Sequence, residues 1–254
     1  LDRMGSINWI QTFTLPVETQ NLQTRIDHQL NNSQRLYLRV SRVTRDQEPE
    51  ASLFNGFPGL YSIGGSQTDI EADHRRNWSF SLNDTIGFSP TFVGTIGLGF
   101  TRTSLHGQGN GVDRNPADLK VPSIIISNQA SPGWPNFRFS GITMPEVGGR
   151  FRDQINNVYS SMATFNKLSG AHNLRFGLDW RTVRWNENNP DAQAQGIFTS
   201  SDRLTMKNPD VADGSGAAIA SFLLGLPTSG TMAKRASLAL QTHYAGVFVQ
   251  DDWK

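Results

Sequence analysis

Apolar and polar residues alternate with period two in segment after segment of this chain. Residues 173–181 show it most clearly. Leu174, Phe176, Leu178 and Trp180 fall on one side of an extended strand, and Asn173, Arg175, Gly177, Asp179 and Arg181 fall on the other. Leu22, Thr24 and Ile26 oppose Gln23, Arg25 and Asp27, and Leu36, Leu38 and Val40 oppose Tyr37, Arg39 and Ser41. Trp78, Phe80 and Leu82 oppose Asn77, Ser79, Ser81 and Asn83, and Phe92, Ile96, Leu98 and Phe100 oppose Thr95, Gly97, Gly99 and Thr101. Each pattern predicts a strand with one apolar face and one polar face. Three more stretches predict strands less cleanly. Residues 7–14 alternate weakly, and residues 154–165 and 244–249 carry apolar side chains on both faces, which leaves their outward side open. One residue breaks the pattern: Asp84 shares parity with Trp78 and Leu82, which predicts a bulge or the end of the apolar band near Asn83-Asp84.

The connections carry a second signal. Asn31-Asn32-Ser33-Gln34, Gly87-Phe88-Ser89-Pro90 and residues 167–172 around Ser169-Gly170 are tight turns by composition. Between them lie long irregular stretches, about 46–73, 106–152 and 186–235, rich in Gly, Pro, Asn, Asp and Ser. Loops beyond roughly 15 residues are unusual inside compact domains. Their order, short then long then short, puts tight turns at one end of the strands and long loops at the other. An antiparallel up-and-down barrel with a wet lumen and lipid outside sorts its connections this way. The stretch from Leu174 to Thr182 is near the roughly 9 to 11 residues that a tilted membrane strand needs. Trp180 and Trp185 are then expected toward the outer rim, where interfacial aromatics gather. The third long stretch holds one predicted short helix, residues 216–224, which Pro227 stops and which is too short to cross a membrane.

Composition narrows the choice without closing it. Among 254 residues, 37% are hydrophobic and no run of about 18 apolar residues occurs, which excludes a helical membrane protein but not a barrel of alternating strands. Cysteine is absent, so disulfide frameworks and thiolate metal sites are excluded. The net charge of +1, with Lys and Arg spread along the chain, gives no argument for nucleic acid. Leu1-Asp2-Arg3-Met4-Gly5 lacks the basic-then-apolar pattern of a secretory signal. His28, His74, His106, His172 and His243 are not at metal-ligand spacing, and no G-x-S-x-G elbow occurs. Gly107-Gln108-Gly109-Asn110-Gly111 is not followed by a helix pattern, so it reads as a loop rather than a phosphate cradle. Asp251 and Asp252 are adjacent on a strand and point to opposite faces. No catalytic residue, metal or cofactor is therefore expected, and the chain reads as a non-enzyme.

Three motifs, in order, resemble one family. Arg25-Ile26-Asp27-His28 with Arg35-Leu36-Tyr37, and Gly170-Ala171-His172-Asn173-Leu174-Arg175-Phe176-Gly177, are similar to hairpins of TonB-dependent outer-membrane receptors. Ala220-Ser221-Phe222-Leu223-Leu224-Gly225-Leu226-Pro227, followed by Tyr244 and by Val249-Gln250-Asp251-Asp252-Trp253-Lys254, resembles their Oar-like, carboxypeptidase-regulatory-like branch. The resemblance implies a bacterial outer-membrane location and a barrel of about 22 strands. It also implies an N-terminal plug, and energy from an inner-membrane complex through TonB. About eight strands are predicted here, with no plug-like segment and no TonB box. Asp251-Asp252-Trp253-Lys254 is similar to an internal strand end of that family. Residues 1–254 are thus expected to be part of a single outer-membrane barrel domain, an open piece without plug and C-terminal strands, whose first and last strands have unpaired edges.

The expected lipid-facing belt is Leu36, Leu38, Trp78, Phe80, Ile96, Leu98, Leu174, Phe176, Leu178 and Trp180. Arg25, Asp27, Arg39, Asp179 and Arg181 are expected on the lumen side, facing a plug or a solute path, or simply pairing across strands. The expected partners are outer-membrane lipid, the plug, the TonB complex and an unidentified solute, with no nucleic acid. Two other readings stay open at this stage: a secreted soluble β-sandwich that binds carbohydrate or protein, and an adhesin-like surface barrel that transports nothing. A sandwich would bury Leu174, Phe176, Leu178 and Trp180 against a second sheet, and a barrel would leave them exposed.

Overall fold

Hydrogen bonding joins the alternating segments into one antiparallel meander. The structure, a computed structural model, describes residues 16–47, 62–63, 72–108, 115–120, 122–131, 133–141, 145–146, 151–188, 194–211, 214–234 and 236–254. Seven long strands carry the wall: β1 (Val17–Asn31), β2 (Gln34–Gln47), β4 (Ala72–Ser89), β5 (Phe92–Gln108), β8 (Phe151–Ser169), β9 (His172–Asn188) and β12 (Leu238–Trp253). Short strands lie between them: β3 (Ser62–Ile63), β6 (Asn136–Phe139), β7 (Pro145–Glu146), β10 (Ile197–Ser200) and β11 (Ser229–Thr231). The long strands pair in chain order, β1-β2-β4-β5-β8-β9-β12, every neighbour antiparallel. Among the described residues β1 pairs only with β2 and β12 only with β9, so the sheet is open at both edges, as expected. The predicted strand at residues 7–14 lies outside the described residues.

The tight turns lie together at one end. Asn31 caps the first, its side-chain carbonyl accepting from the Ser33 N–H at 2.9 Å, and Gly170 takes the left-handed conformation (φ 61°) that the third requires. The second turn sits at Pro90-Thr91, two residues later than its composition suggested, because β4 continues through Ser89. The register shift in this strand falls between Gly87 and Ser89. No shift occurs at Asn83-Asp84, which corrects the expected bulge. Asp84 pairs in register between Leu36 and Ile96, and the apolar pattern resumes at Ile86. Gln34 accommodates the carboxylate there, its side-chain amide donating to Asp84 Oδ2 at 2.7 Å.

Strands of 14 to 19 residues are longer than the expected crossing length. The ladder continues past the apolar stretch because both partners of each hairpin stay polar and extended together. Register also settles the two ambiguous strands. Ser161 pairs between Leu98 and Trp180, which puts Tyr159, Ala163 and Phe165 on the apolar face and Val158 and Met162 on the polar face. Ala245 pairs with Trp180, so Val247 and Val249 join the apolar face while Tyr244 and Phe248 lie on the other. Trp185, expected at the rim beside Trp180, lies on the polar face and donates its indole N–H to Glu187 at 3.0 Å.

No second sheet covers the apolar face of the described wall. Leu98 is 53% exposed, Trp180 42% and Val247 87%, and the buried hydrophobic residues among those described are only Ala163, Ala194 and Ala218. A two-sheet sandwich buries such residues in a dry core, so the single open sheet overturns that reading.

The second and third long stretches, expected to be irregular apart from one helix, fold against each other. β10 runs parallel to β6 and antiparallel to β11. The predicted helix forms as α2 (Ala218–Leu223), preceded in the chain by α1 (Ser123–Asn128) from the other stretch. Phe222 meets Phe137 and Phe139 edge-on, at centroid distances of 5.0 and 5.2 Å. Gln129 donates to the Gln195 carbonyl at 2.8 Å, which ties the two stretches together again. Phe222→Ala is expected to loosen this unit by about 1–2 kcal/mol, since it removes two aromatic pairs along with part of their buried area. Limited proteolysis should then cut between residues 197 and 231 severalfold faster while the wall stays resistant. An unchanged cleavage pattern would show that the stretches do not hold each other.

Candidate functional site: the polar face of the wall

Two neighbouring cross-strand rows make the centre of the polar face. Reading from β1 to β12, one row is Arg25, Arg39, Ser81, Gly99, Ser160, Arg181, Tyr244, and the next is Asp27, Tyr37, Asn83, Gly97, Met162, Asp179, Gly246. All five residues expected on the lumen side therefore share this face, in two clusters at opposite ends of the rows. Arg25 and Arg39 are direct cross-strand neighbours of like charge, and each turns to another group. Arg25 donates to Asp27 at 2.7 and 2.9 Å and lies 4.2 Å from the Tyr37 ring centroid. Arg35 reaches the same Asp27 at 3.0 Å. Arg39 donates to Gln23 at 2.7 Å. In the other cluster, Arg181 donates to Asp179 at 3.0 Å and its guanidinium faces the Tyr244 ring. Such exposed pairs contribute little to stability. They leave both signs of charge displayed along the polar face.

A groove of about 320 Å³ opens between the clusters, lined by Ser81, Asn83, Gly97, Gly99, Ser160, Met162 and the Asp179–Arg181 pair. Its floor is low because two alternate residues of β5 have no side chain. A Cβ on Gly97 would stand 2.7 Å from Asn83 Oδ1, and one on Gly99 would meet Ser160 Oγ. The volume is at the small end of ligand clefts. The lining offers hydroxyl and amide hydrogen-bond partners, the apolar side chains of Val158 and Met162, and an ion pair at one side. It contains no nucleophile paired with a base, and no metal-binding group of His or carboxylate residues occurs among the described residues. The chemistry it supports is recognition of a small polar group.

Gly97, Gly99, Ser160 and Met162 were not among the candidate residues read from sequence. The signal was present as two glycines at period two inside a strand, which marks a close approach over the backbone. Asn83, above Gly97, comes from the neighbouring strand of the same hairpin, whereas Ser160, above Gly99, is brought there by pairing with a strand about sixty positions away.

The expected belt residues all share the opposite face. Aromatic side chains border it at both ends. Near the long stretches, Trp78, Phe80, Phe100 and Tyr159 contact one another in sequence across β4, β5 and β8, stacked or tilted, with centroid distances of 5.9, 6.2 and 5.1 Å. Near the tight turns, Phe88, Phe92, Phe165 and Phe176 do the same at 4.8, 6.0 and 5.4 Å. Trp180 lies midway along β9, below the first border, and stacks on His243.

Residues 2–254 match the family described as an outer membrane beta barrel domain. No curated protein and no solved structure matches the chain.

Proposed function

The chain belongs to the outer membrane beta barrel family and is a protein of the bacterial outer membrane; from that premise we propose that it is the wall of a receptor that takes up a solute in a TonB-dependent manner. The groove between the Arg25–Asp27 and Asp179–Arg181 clusters carries this reading. A barrel that only anchors loops has no need for a cleft of ligand size on its inner wall. The hairpin and strand-end motifs that resemble TonB-dependent receptors support it from the sequence side. In this reading the two aromatic borders are interfacial girdles, and the belt between them faces lipid. From Phe92 to Phe100 on β5, at about 3.3 Å per residue and a tilt near 40°, the height between the borders is roughly 20 Å, close to the roughly 25 Å of an outer-membrane apolar band. The open edges of β1 and β12 continue into further strands of the same barrel, with a plug inside. The solute reaches the groove from the rim of long loops.

One observation favours a second reading. The long stretches form a folded unit of their own, β6-β10-β11 with α2, which suits an adhesin whose outer surface acts alone. Labelled glycans, peptides and metal chelates presented to cells that carry the full-length parent protein separate the two. Uptake of at least one is expected, abolished when TonB is deleted. Gly99→Leu, which fills the groove, is expected to reduce that uptake severalfold at equal levels of folded protein. Uptake that persists without TonB overturns the proposal. Binding at the surface with no entry of any solute overturns it too, and is the result an adhesin would give.

A further inference from the structure

Three arginines cross the apolar face at the outer edge of its aromatic border, in the row that also holds Trp78. Arg42 on β2, Arg102 on β5 and Arg184 on β9 belong to one cross-strand row, Arg42, Trp78, Arg102, Asn157, Arg184, Gln241. They stand two strands apart, so their backbones are separated by about 10 Å. All three are exposed. None has a carboxylate partner among the described residues. Arg42 lies 5.4 Å from the Trp78 ring centroid and Arg184 5.5 Å from that of Tyr159, and Arg184 donates to Gln241 at 2.9 Å. Elsewhere on the wall, Arg25, Arg35, Arg45, Arg75, Arg76 and Arg181 each reach an aspartate, and Arg39, on the polar face, reaches Gln23.

The contrast is sharpest two rows farther from the apolar band. There Asp46, His74, His106 and Asp153 follow one another across β2, β4, β5 and β8. Asp46 contacts His74 at 2.6 Å and Arg76 at 2.7 Å, and His106 contacts Asp153 at 2.6 Å. The Arg76 and His74 hydrogen bonds hold the Asp46 carboxyl below its ordinary range. That outer row supplies its own counter-charges. The arginine row supplies none, and it sits where an apolar surface meets water.

We propose that Arg42, Arg102 and Arg184 bind the phosphate groups of outer-leaflet lipid. The long loops place this rim on the outer side of the membrane. Planar guanidinium groups bind phosphate with two parallel hydrogen bonds. Their alkyl stems can lie along the aromatic border while the heads reach the head-group layer. The 10 Å spacing offers successive contacts to a lipid carrying two phosphates, or to adjacent head groups. The inference rests on the membrane location and is independent of transport.

The test uses the full-length parent protein in phosphatidylethanolamine vesicles with added diphosphoryl lipid A. Binding is read from co-purified lipid A and from the shift in unfolding midpoint. Replacing all three arginines by glutamine is expected to weaken binding on the order of a hundredfold, about fivefold per residue. Arg→Lys at the three positions keeps the charge but loses the two-pronged geometry, so it is expected to bind more tightly than the glutamine variant and more weakly than the parent, and it also shows that the wall still folds. Lys167→Gln changes a charge on the same face near the tight turns, and is expected to change nothing. Equal binding by the triple glutamine variant overturns the proposal. So does an equal stabilising shift from dephosphorylated lipid A, or from inorganic phosphate alone, which would indicate a free-anion site.

Discussion

Leu98→Arg is expected to cost the full-length protein about 2–4 kcal/mol of stability in a bilayer, the penalty for a cation on the lipid face near mid-membrane. Leu98 sits between Leu82 and Ser161 in register, on the face that no other described element covers, and is 53% exposed. For a soluble protein, replacing so exposed a leucine by arginine would be nearly neutral. The sign of the effect therefore reports on the solvent outside the wall. Thr95→Arg, three residues away on the same strand, places the same charge on the polar face beside Thr85 and Thr164. It is expected to stay within about 1 kcal/mol of the parent, since surface changes there leave the charge in water. Denaturant unfolding of the folded barrel in vesicles measures both. Similar midpoints for the two variants would mean that lipid does not bathe this face.

The second large effect is expected at Gly177. A Cβ here would strike the Ala163 backbone carbonyl and stand 2.8 and 3.0 Å from two atoms of the Phe248 ring. The carbonyl cannot move without shifting the β8–β9 ladder, and the ring lies over the glycine as a substitute for its missing side chain. Gly177→Ala is expected to destabilise by about 1–3 kcal/mol, the usual cost of forcing atoms into a filled space. Phe248→Ala in the same chain should recover only part of the loss, because it frees the ring space and leaves the carbonyl in place. A thermal or denaturant midpoint unchanged in Gly177→Ala would show that the two strands are not as close as described. Full recovery in the double variant would show that the ring alone set the limit.

These predictions differ in how far the sequence leads toward them. The face of Leu98 follows from the alternation around it. The importance of Gly177 does not, because an isolated glycine in an alternating strand only marks a weak spot. It becomes critical when Phe248, more than seventy positions later, pairs opposite it. The candidate site shows the same division. Arg25, Asp27, Arg39, Asp179 and Arg181 were legible as polar-face residues from parity alone. That Arg25 and Arg35 share Asp27, and that a groove separates this cluster from Asp179–Arg181, depends on which strands stand side by side. The arginine row is the extreme case, since Arg42, Arg102 and Arg184 have no common pattern along the chain.

Local order explains what was readable. Successive side chains on a strand point to opposite faces, so 173–181 announces two faces before any partner is known. Gly, Asn, Ser and Pro mark turns by their own backbone preferences, so the sorting of tight and long connections was also visible. Asp84 shows the limit from the other side: alternation predicted a bulge or the end of the apolar band there, and the strand instead stays in register, with the cross-strand amide of Gln34 donating to one carboxylate oxygen. Register is a property of pairs, and a slip of one residue would exchange the faces of a whole strand. The faces of β8 and β12, the glycine floor of the groove and the pairing of β6 with β10 were therefore decided by the tertiary structure, where residues far apart in the chain meet.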